Sequence, residues 1–139
     1  MRISVVILSL LLMIACAKGY QDKEYNQPLT GEDLALAQKA TEFAKKVDQV
    51  ADSAPSSLGP SWKAFKDNVQ LFENNCQRKS CNSLEAREDF NHIRYYAVQL
   101  DSVITQNDYP ELYSTWKSIR KDYVDTIGKQ LGYRIDQSY

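Results

Sequence analysis

The sequence predicts an all-α protein that folds as an antiparallel up-down four-helix bundle. Four segments repeat apolar residues at spacings of three and four, which is the period of an amphipathic helix. None of these segments alternates apolar and polar residues in the way that a half-buried strand does. Short polar links between the segments favour antiparallel neighbours. The chain outside residues 1–29 therefore has the length and patterning of one helical domain.

The first element, residues 1–16, has the composition of a secretory signal. Arg2 precedes a nearly unbroken apolar run from Ile3 to Ile14, and small residues surround Cys16. A cationic start, about a dozen apolar residues and a small-residue site are typical of a signal peptide. The run is shorter than the roughly 20 residues that a membrane-spanning helix needs. The sequence therefore predicts export.

The end of this signal, residues 13–16 (MIAC), resembles the lipobox of bacterial lipoproteins, although its first two residues depart from the family's preference. The resemblance covers residues 1–16 only. It implies that Cys16 carries lipid and becomes the mature N-terminus, and that Ala17 directs the protein to the periplasmic face of the outer membrane. The alternative is ordinary cleavage after Ala17, which would release a soluble periplasmic or secreted protein.

Residues 17–29 are predicted to form a flexible tether, because they are polar, contain Gly19 and Pro28, and lack apolar periodicity.

The mature chain of about 122 residues has 16 basic and 18 acidic side chains once Arg2 is removed, a formal net charge of −2. Basic residues are interspersed with acids, so no stripe for a phosphate backbone forms and nucleic acid is not a predicted partner.

The first two helices are predicted from Thr30, with Asp33 in the capping-box position, and from Gly59-Pro60, where proline suits a first turn. Between them, residues 51–61 contain two prolines, a glycine and four serines, which break a helix. The predicted core stripes are Leu36, Ala40, Phe43, Val47 and Val50 in the first helix, and Trp62, Phe65, Val69, Phe72 and Cys76 in the second.

The third and fourth helices are predicted from Asn82 and Asp108, each with a glutamate three residues later. Residues 77–83 and 105–109 are the polar links, Gly132 is the predicted C-cap, and residues 136–139 are expected to fray. The predicted stripes are Ala86, Phe90, Ile93, Ala97, Leu100 and Ile104 in the third helix, and Leu112, Trp116, Ile119, Tyr123 and Ile127 in the fourth. The bundle is predicted to cover residues 30–135.

Cys76 and Cys81 are predicted to form a structural disulfide in an oxidising compartment. A redox-active pair is the alternative, but such pairs usually read Cys-x-x-Cys, and four residues intervene here.

Haem is not predicted, because both methionines lie in the signal and His92 is the sole histidine. His92, with Asp89 three residues earlier, also lacks the partner motif of a di-iron bundle. The sequence thus predicts no cofactor, no metal site and no catalytic residue.

Tyrosine is abundant, and Arg94, Tyr95, Tyr113 and Arg120 are predicted to form an exposed surface that binds a protein partner. The sequence therefore favours a non-enzymatic envelope lipoprotein that is anchored to the membrane by lipid and binds or scaffolds another protein. The alternative is a soluble helical carrier that binds a small apolar ligand among the core aromatic residues.

Overall fold

The computed structural model describes residues 29–134, and within this range the chain is helical and contains no strand. The prediction of an all-α protein is confirmed. Three long helices come first: α1 (Gly31–Ala51), α2 (Pro60–Arg78) and α3 (Leu84–Val103). A fourth helical segment joins α4 (Pro110–Ile119), a π-helical stretch (Arg120–Asp125) and α5 (Thr126–Gln130). The signal, Cys16 and residues 136–139 lie outside the described residues.

The four segments share one apolar core. All of the stripe residues predicted for α1, α2 and α3 are buried in it. In the fourth segment, Trp116, Ile119 and Ile127 are buried, whereas Leu112 and Tyr123 pack only partly against the core. Val124 takes a buried position that the sequence pattern assigned to Tyr123. The π-helical stretch explains this shift, because its i to i+5 hydrogen bonds add a residue to the turn and rotate the following side chains.

Two of the predicted helix starts need correction. Thr30 is the N-cap of α1, as predicted, although its side chain accepts no capping hydrogen bond. The cap of α3 is Ser83 and not Asn82, because the Ser83 hydroxyl accepts a hydrogen bond from the Ala86 amide at 3.2 Å. Tyr109 precedes α4, whereas Asp108 accepts a hydrogen bond from the Thr105 hydroxyl at 3.0 Å. The predicted start of α2 at Pro60 is confirmed.

Glycine closes the C-terminal end of the fourth segment, as predicted. Gly132 has a φ of +84°, and the amide of Tyr133 donates to the carbonyl of Gly128 at 2.8 Å. A second hydrogen bond runs from the Gly132 amide to the Lys129 carbonyl at 3.1 Å, which completes a Schellman motif. Gly128 also lies against α3, where a Cβ atom would meet the Phe90 ring at 3.4 Å. Gly132 therefore provides the left-handed conformation that ends the helix, and Gly128 allows the close approach of this segment to α3.

Leu29, assigned by the sequence to the tether, packs against the core, so the folded part of the chain includes it. Among residues 29–134, no helix combines the length and the apolar character needed to span a membrane.

Candidate functional site

A buried ion pair connects α3 to the fourth helical segment. The Arg120 guanidinium donates from Nε to both carboxylate oxygens of Asp101, at 3.0 and 3.1 Å, and from Nη2 to Oδ2 at 2.9 Å. Trp116 Nε1 donates to the same carboxylate at 2.8 Å. Arg120 retains 6% of its surface, so the prediction that it is an exposed anchor for a partner is wrong. Its charge is committed to Asp101 inside the domain.

Local structure explains why this pair forms here. Asp101 lies in the last turn of α3, where the helix dipole disfavours a carboxylate and where that turn contains no basic residue. Trp116 and Arg120 are four residues apart, so their side chains lie one above the other on the same helix face. That face meets the end of α3, and both donors reach one carboxylate. The donors of the fourth segment thereby compensate the Asp101 carboxylate for its unfavourable position at the end of α3.

A second carboxylate lies at the edge of this pair. Asp125 Oδ1 is 4.0 Å from Arg120 Nη1, and the Asp125 side chain keeps 18% of its surface exposed. Burial raises the pKa of Asp125 above its usual value, and the nearby Arg120 only partly offsets that effect. Asp101 and Asp125 therefore differ in role, since the first is fully hydrogen-bonded by Arg120 and the second is merely close to it.

Arg94 is also held in place, although it lies nearer the surface than Arg120. Its Nη2 donates to the carbonyl of Arg134 at 3.1 Å, and its guanidinium carbon lies 4.5 Å from the centre of the Tyr133 ring. Arg87 approaches the same ring at 5.5 Å. The Tyr133 ring thus contacts two guanidinium groups, and this cation–π contact orders the end of the fourth segment against α3.

The most exposed part of the predicted surface is on α3. Tyr95 is 59% exposed and Val98 is 62% exposed, and their spacing of three residues places them on one helix face. We call these two residues the α3 patch. The neighbouring Tyr96 packs against the core and touches the Tyr95 ring edge-on, with the ring centres 5.1 Å apart. Adjacent tyrosines thus divide between the core and the surface, as the helical geometry requires.

Two shallow depressions lie along the seam between α3 and the fourth segment, and Arg120 lines both. One, of about 180 Å³, includes Tyr113, whose ring lies 4.8 Å from Lys117 Nζ. The other, of about 70 Å³, includes Arg94 and Val98. The structure therefore places three of the four predicted residues along one seam and Tyr95 beside it. Sequence reasoning missed Asp101 and Val98, although the acid in the last turn of α3 was a usable signal. It placed Trp116 in the core but did not predict its hydrogen bond to Asp101.

Cys76 and Cys81 lie at disulfide-bonding distance, with their Cα atoms 4.2 Å apart. Both side chains are fully buried, and Cys76 belongs to the α2 core stripe. The predicted pairing is therefore compatible with the fold, and burial keeps both sulfurs away from solvent, where a redox partner would have to reach them.

His92 is exposed on α3, outside the core stripe. Asp89, its predicted neighbour, accepts a hydrogen bond from Asn75 Nδ2 at 2.7 Å, and burial raises the pKa of the Asp89 carboxyl. Within residues 29–134, no three side chains of His, Cys, Asp or Glu are grouped closely enough to bind a metal ion.

Comparison with known proteins gives no further assignment: no family model, curated protein or solved structure matches this chain.

Proposed function

We propose that this chain is an exported lipoprotein whose four helical segments form an antiparallel up-down bundle, and that the bundle binds a protein partner through the α3 patch without catalysing a reaction. The observation that carries the proposal is the pair Tyr95 and Val98, two large apolar side chains that are more than half exposed on one face of an ordered helix. Tyrosine is enriched among the residues that contribute most to protein–protein binding.

Hydrogen bonds between neighbouring segments support the antiparallel arrangement. Gln70 bonds Asp48, and seven residues further along α2, Gln77 bonds Thr41, which is seven residues earlier in α1. The pairs Ser61–Gln99 and Asn75–Asp89 relate α2 to α3 in the same reversed order. The pairs Asp101–Trp116 and Arg87–Leu131 relate α3 to the fourth segment. In each case the residue numbers rise on one segment and fall on its neighbour.

The surroundings of the α3 patch support a binding surface that is rigid before it meets its partner. Arg94, next to Tyr95, is held by the Arg134 carbonyl and the Tyr133 ring. Asp101, three residues after Val98, is held by Arg120 and Trp116. A surface that is already ordered loses less conformational entropy on binding, so more of the contact energy contributes to affinity.

The core contacts favour a partner binder over a carrier of an apolar ligand. Phe65 packs against Trp116 and Trp62, with ring centres 5.2 and 5.9 Å apart, and Phe72 packs against Phe90 at 5.2 Å. These rings fill the space that a ligand in the bundle core would need, because protein interiors are close-packed.

Removing the α3 patch should abolish partner binding without unfolding the domain. We expect the double variant Tyr95→Ser/Val98→Ser to lose at least about 90% of the protein that wild type captures by crosslinking in intact cells, since losing two central apolar anchors costs more than about 2 kcal/mol of binding. Captured proteins are quantified by mass spectrometry, and circular dichroism checks that helical content is unchanged.

The matched control is Leu71→Ser, because Leu71 is 50% exposed on α2 and belongs to a different helix. This variant should capture the same proteins in the same amounts as wild type. Equal capture by wild type and the Tyr95/Val98 variant would disprove the proposed surface, and equal losses in both variants would show that binding is non-specific apolar adhesion.

The membrane anchor is tested separately at Cys16. We expect the wild-type chain to partition into the detergent phase, because two or three acyl chains anchor a protein stably. The Cys16→Ser variant cannot carry this lipid, so it should remain unprocessed or leave the detergent phase. Intact-mass spectrometry reports the added lipid. A mature species that begins at Lys18 without lipid would establish ordinary cleavage instead.

A further inference from the structure

A groove away from the α3 patch lies between the end of α1 and the start of α4. It has a volume of about 490 Å³ and is open to solvent. Small-molecule sites in proteins occupy roughly 300–1,000 Å³, so a ligand of modest size fits. The α1 wall contributes residues from Lys46 to Ser53, and the α4 wall contributes residues from Asp108 to Thr115.

The floor of the groove is apolar and ordered. Val50 is buried in the core, and Tyr109 and Leu112 pack against that core from the α4 side. The Tyr109 hydroxyl forms a hydrogen bond of 2.8 Å with the Ser57 hydroxyl, which ties the link before α4 to the link after α1. An aliphatic group placed on this floor would contact three side chains that are already fixed, and its transfer from water would be favourable.

The two walls carry opposite charges. Lys46 lies on the α1 wall, whereas Asp108 and Glu111 lie on the α4 wall. Among residues 29–134, neither Lys46 nor Glu111 forms an ion pair, with each other or with another side chain. The groove is thus lined by a cation on its α1 wall and by carboxylates on its α4 wall, so a bound molecule with two opposite charges can meet both.

We propose that this groove binds a zwitterionic ligand, namely a free amino acid or a short unblocked peptide with aliphatic side chains. The ligand carboxylate pairs with the Lys46 ammonium, the ligand ammonium pairs with the Asp108 and Glu111 carboxylates, and the aliphatic side chain lies on Val50 and Leu112. This site does not depend on the α3 patch, so either proposal can fail alone.

The test uses the full chain as the cell processes it, titrated with leucine, with leucyl-leucine, and with leucyl-leucine blocked by acetyl and amide groups. We expect saturable binding of leucine or leucyl-leucine by calorimetry, and the tighter of the two identifies the ligand length. The blocked peptide should bind at least about tenfold more weakly, because it has lost both charges. Amide NMR shifts should concentrate at Val50 and Leu112.

Charged residues outside the groove provide matched controls. Lys46→Gln and Glu111→Gln should each weaken binding about threefold, since each removes one solvent-accessible ion pair. Lys45→Gln and Asp122→Asn change equivalent charges at exposed positions outside the groove and should leave binding unchanged. The proposal is overturned by the absence of saturable binding up to about 10 mM ligand, by equal binding of the blocked peptide, or by equal effects of the Lys46 and Lys45 variants.

Discussion

Replacing Phe65 with Ala should reduce the free energy of unfolding by about 4 kcal/mol, the largest effect that we expect from one substitution. Phe65 is fully buried, and its ring centre lies between 5.2 and 6.1 Å from those of Phe43, Trp62 and Trp116. Truncation removes apolar burial and leaves a cavity that the surrounding rings can fill only in part. Urea denaturation followed by circular dichroism measures the change.

The control for this prediction is Leu71→Ala in the same helix. Leu71 is half exposed, so its truncation should change stability by no more than about 0.5 kcal/mol. A loss below about 1 kcal/mol for Phe65→Ala would contradict the packing of the core, because it would mean that this ring is not enclosed.

Replacing Asp101 with Asn should cost about 3 kcal/mol of folding free energy, because it removes the carboxylate that accepts the hydrogen bonds of the buried Arg120 guanidinium. The amide retains the size of the side chain and an oxygen acceptor for Trp116 Nε1. The loss is therefore assigned to charge rather than to packing. Thermal and urea unfolding of both proteins at neutral pH measure it.

The double variant Asp101→Asn/Arg120→Met shows whether the two residues stabilise the fold as a pair or independently. Exchanging a buried ion pair for groups of similar volume is often close to neutral, so the double variant should lie within about 1 kcal/mol of wild type. If its loss equals the sum of the losses for the two single substitutions, the two residues act independently and the ion pair is not the source of the stability.

Asp125 supplies a second control, because its effect on stability depends on pH. Burial raises its pKa, so the folded protein binds this proton more tightly than the unfolded chain does. The stabilisation that follows is present at acid pH and is lost as the pH rises through the folded-state pKa. Asp125→Asn should therefore be no less stable than wild type at neutral pH, and any gain should disappear on acidification. A loss as large as that of Asp101→Asn would refute the difference between the two carboxylates.

Residues of α1, α2 and α3 show how much of the fold is predictable from local pattern. Phe43, Val69 and Ile93 were assigned to the core by spacing alone, and all three are buried there. Spacing succeeds in these helices because the α-helical period of 3.6 residues is preserved throughout, so one face stays apolar. Cap positions were less predictable, since Asn82 and Ser83 are both good caps and only the backbone geometry selects Ser83.

The candidate site was less predictable than the helices. Composition selected Tyr95, which is exposed, and Arg120, which is buried. The difference depends on Asp101, a partner that is 19 residues away in the sequence. An arginine that faces water and an arginine that faces a buried carboxylate have the same local pattern, so composition cannot separate them.

The sequence alone predicted four helical segments within residues 30–135, the breaks at Pro60 and Gly132, and the side chains of the first three helices that form the core stripes. These properties depend on the period of the helix and on the backbone preferences of single residues, which act over a few positions. Only the tertiary structure decided that Arg120 is paired inside the domain, that Val124 replaces Tyr123 in the core, and that Lys46 and Glu111 line one groove. Each of these depends on the contact of two helices, and such contacts follow from the packing of the whole chain.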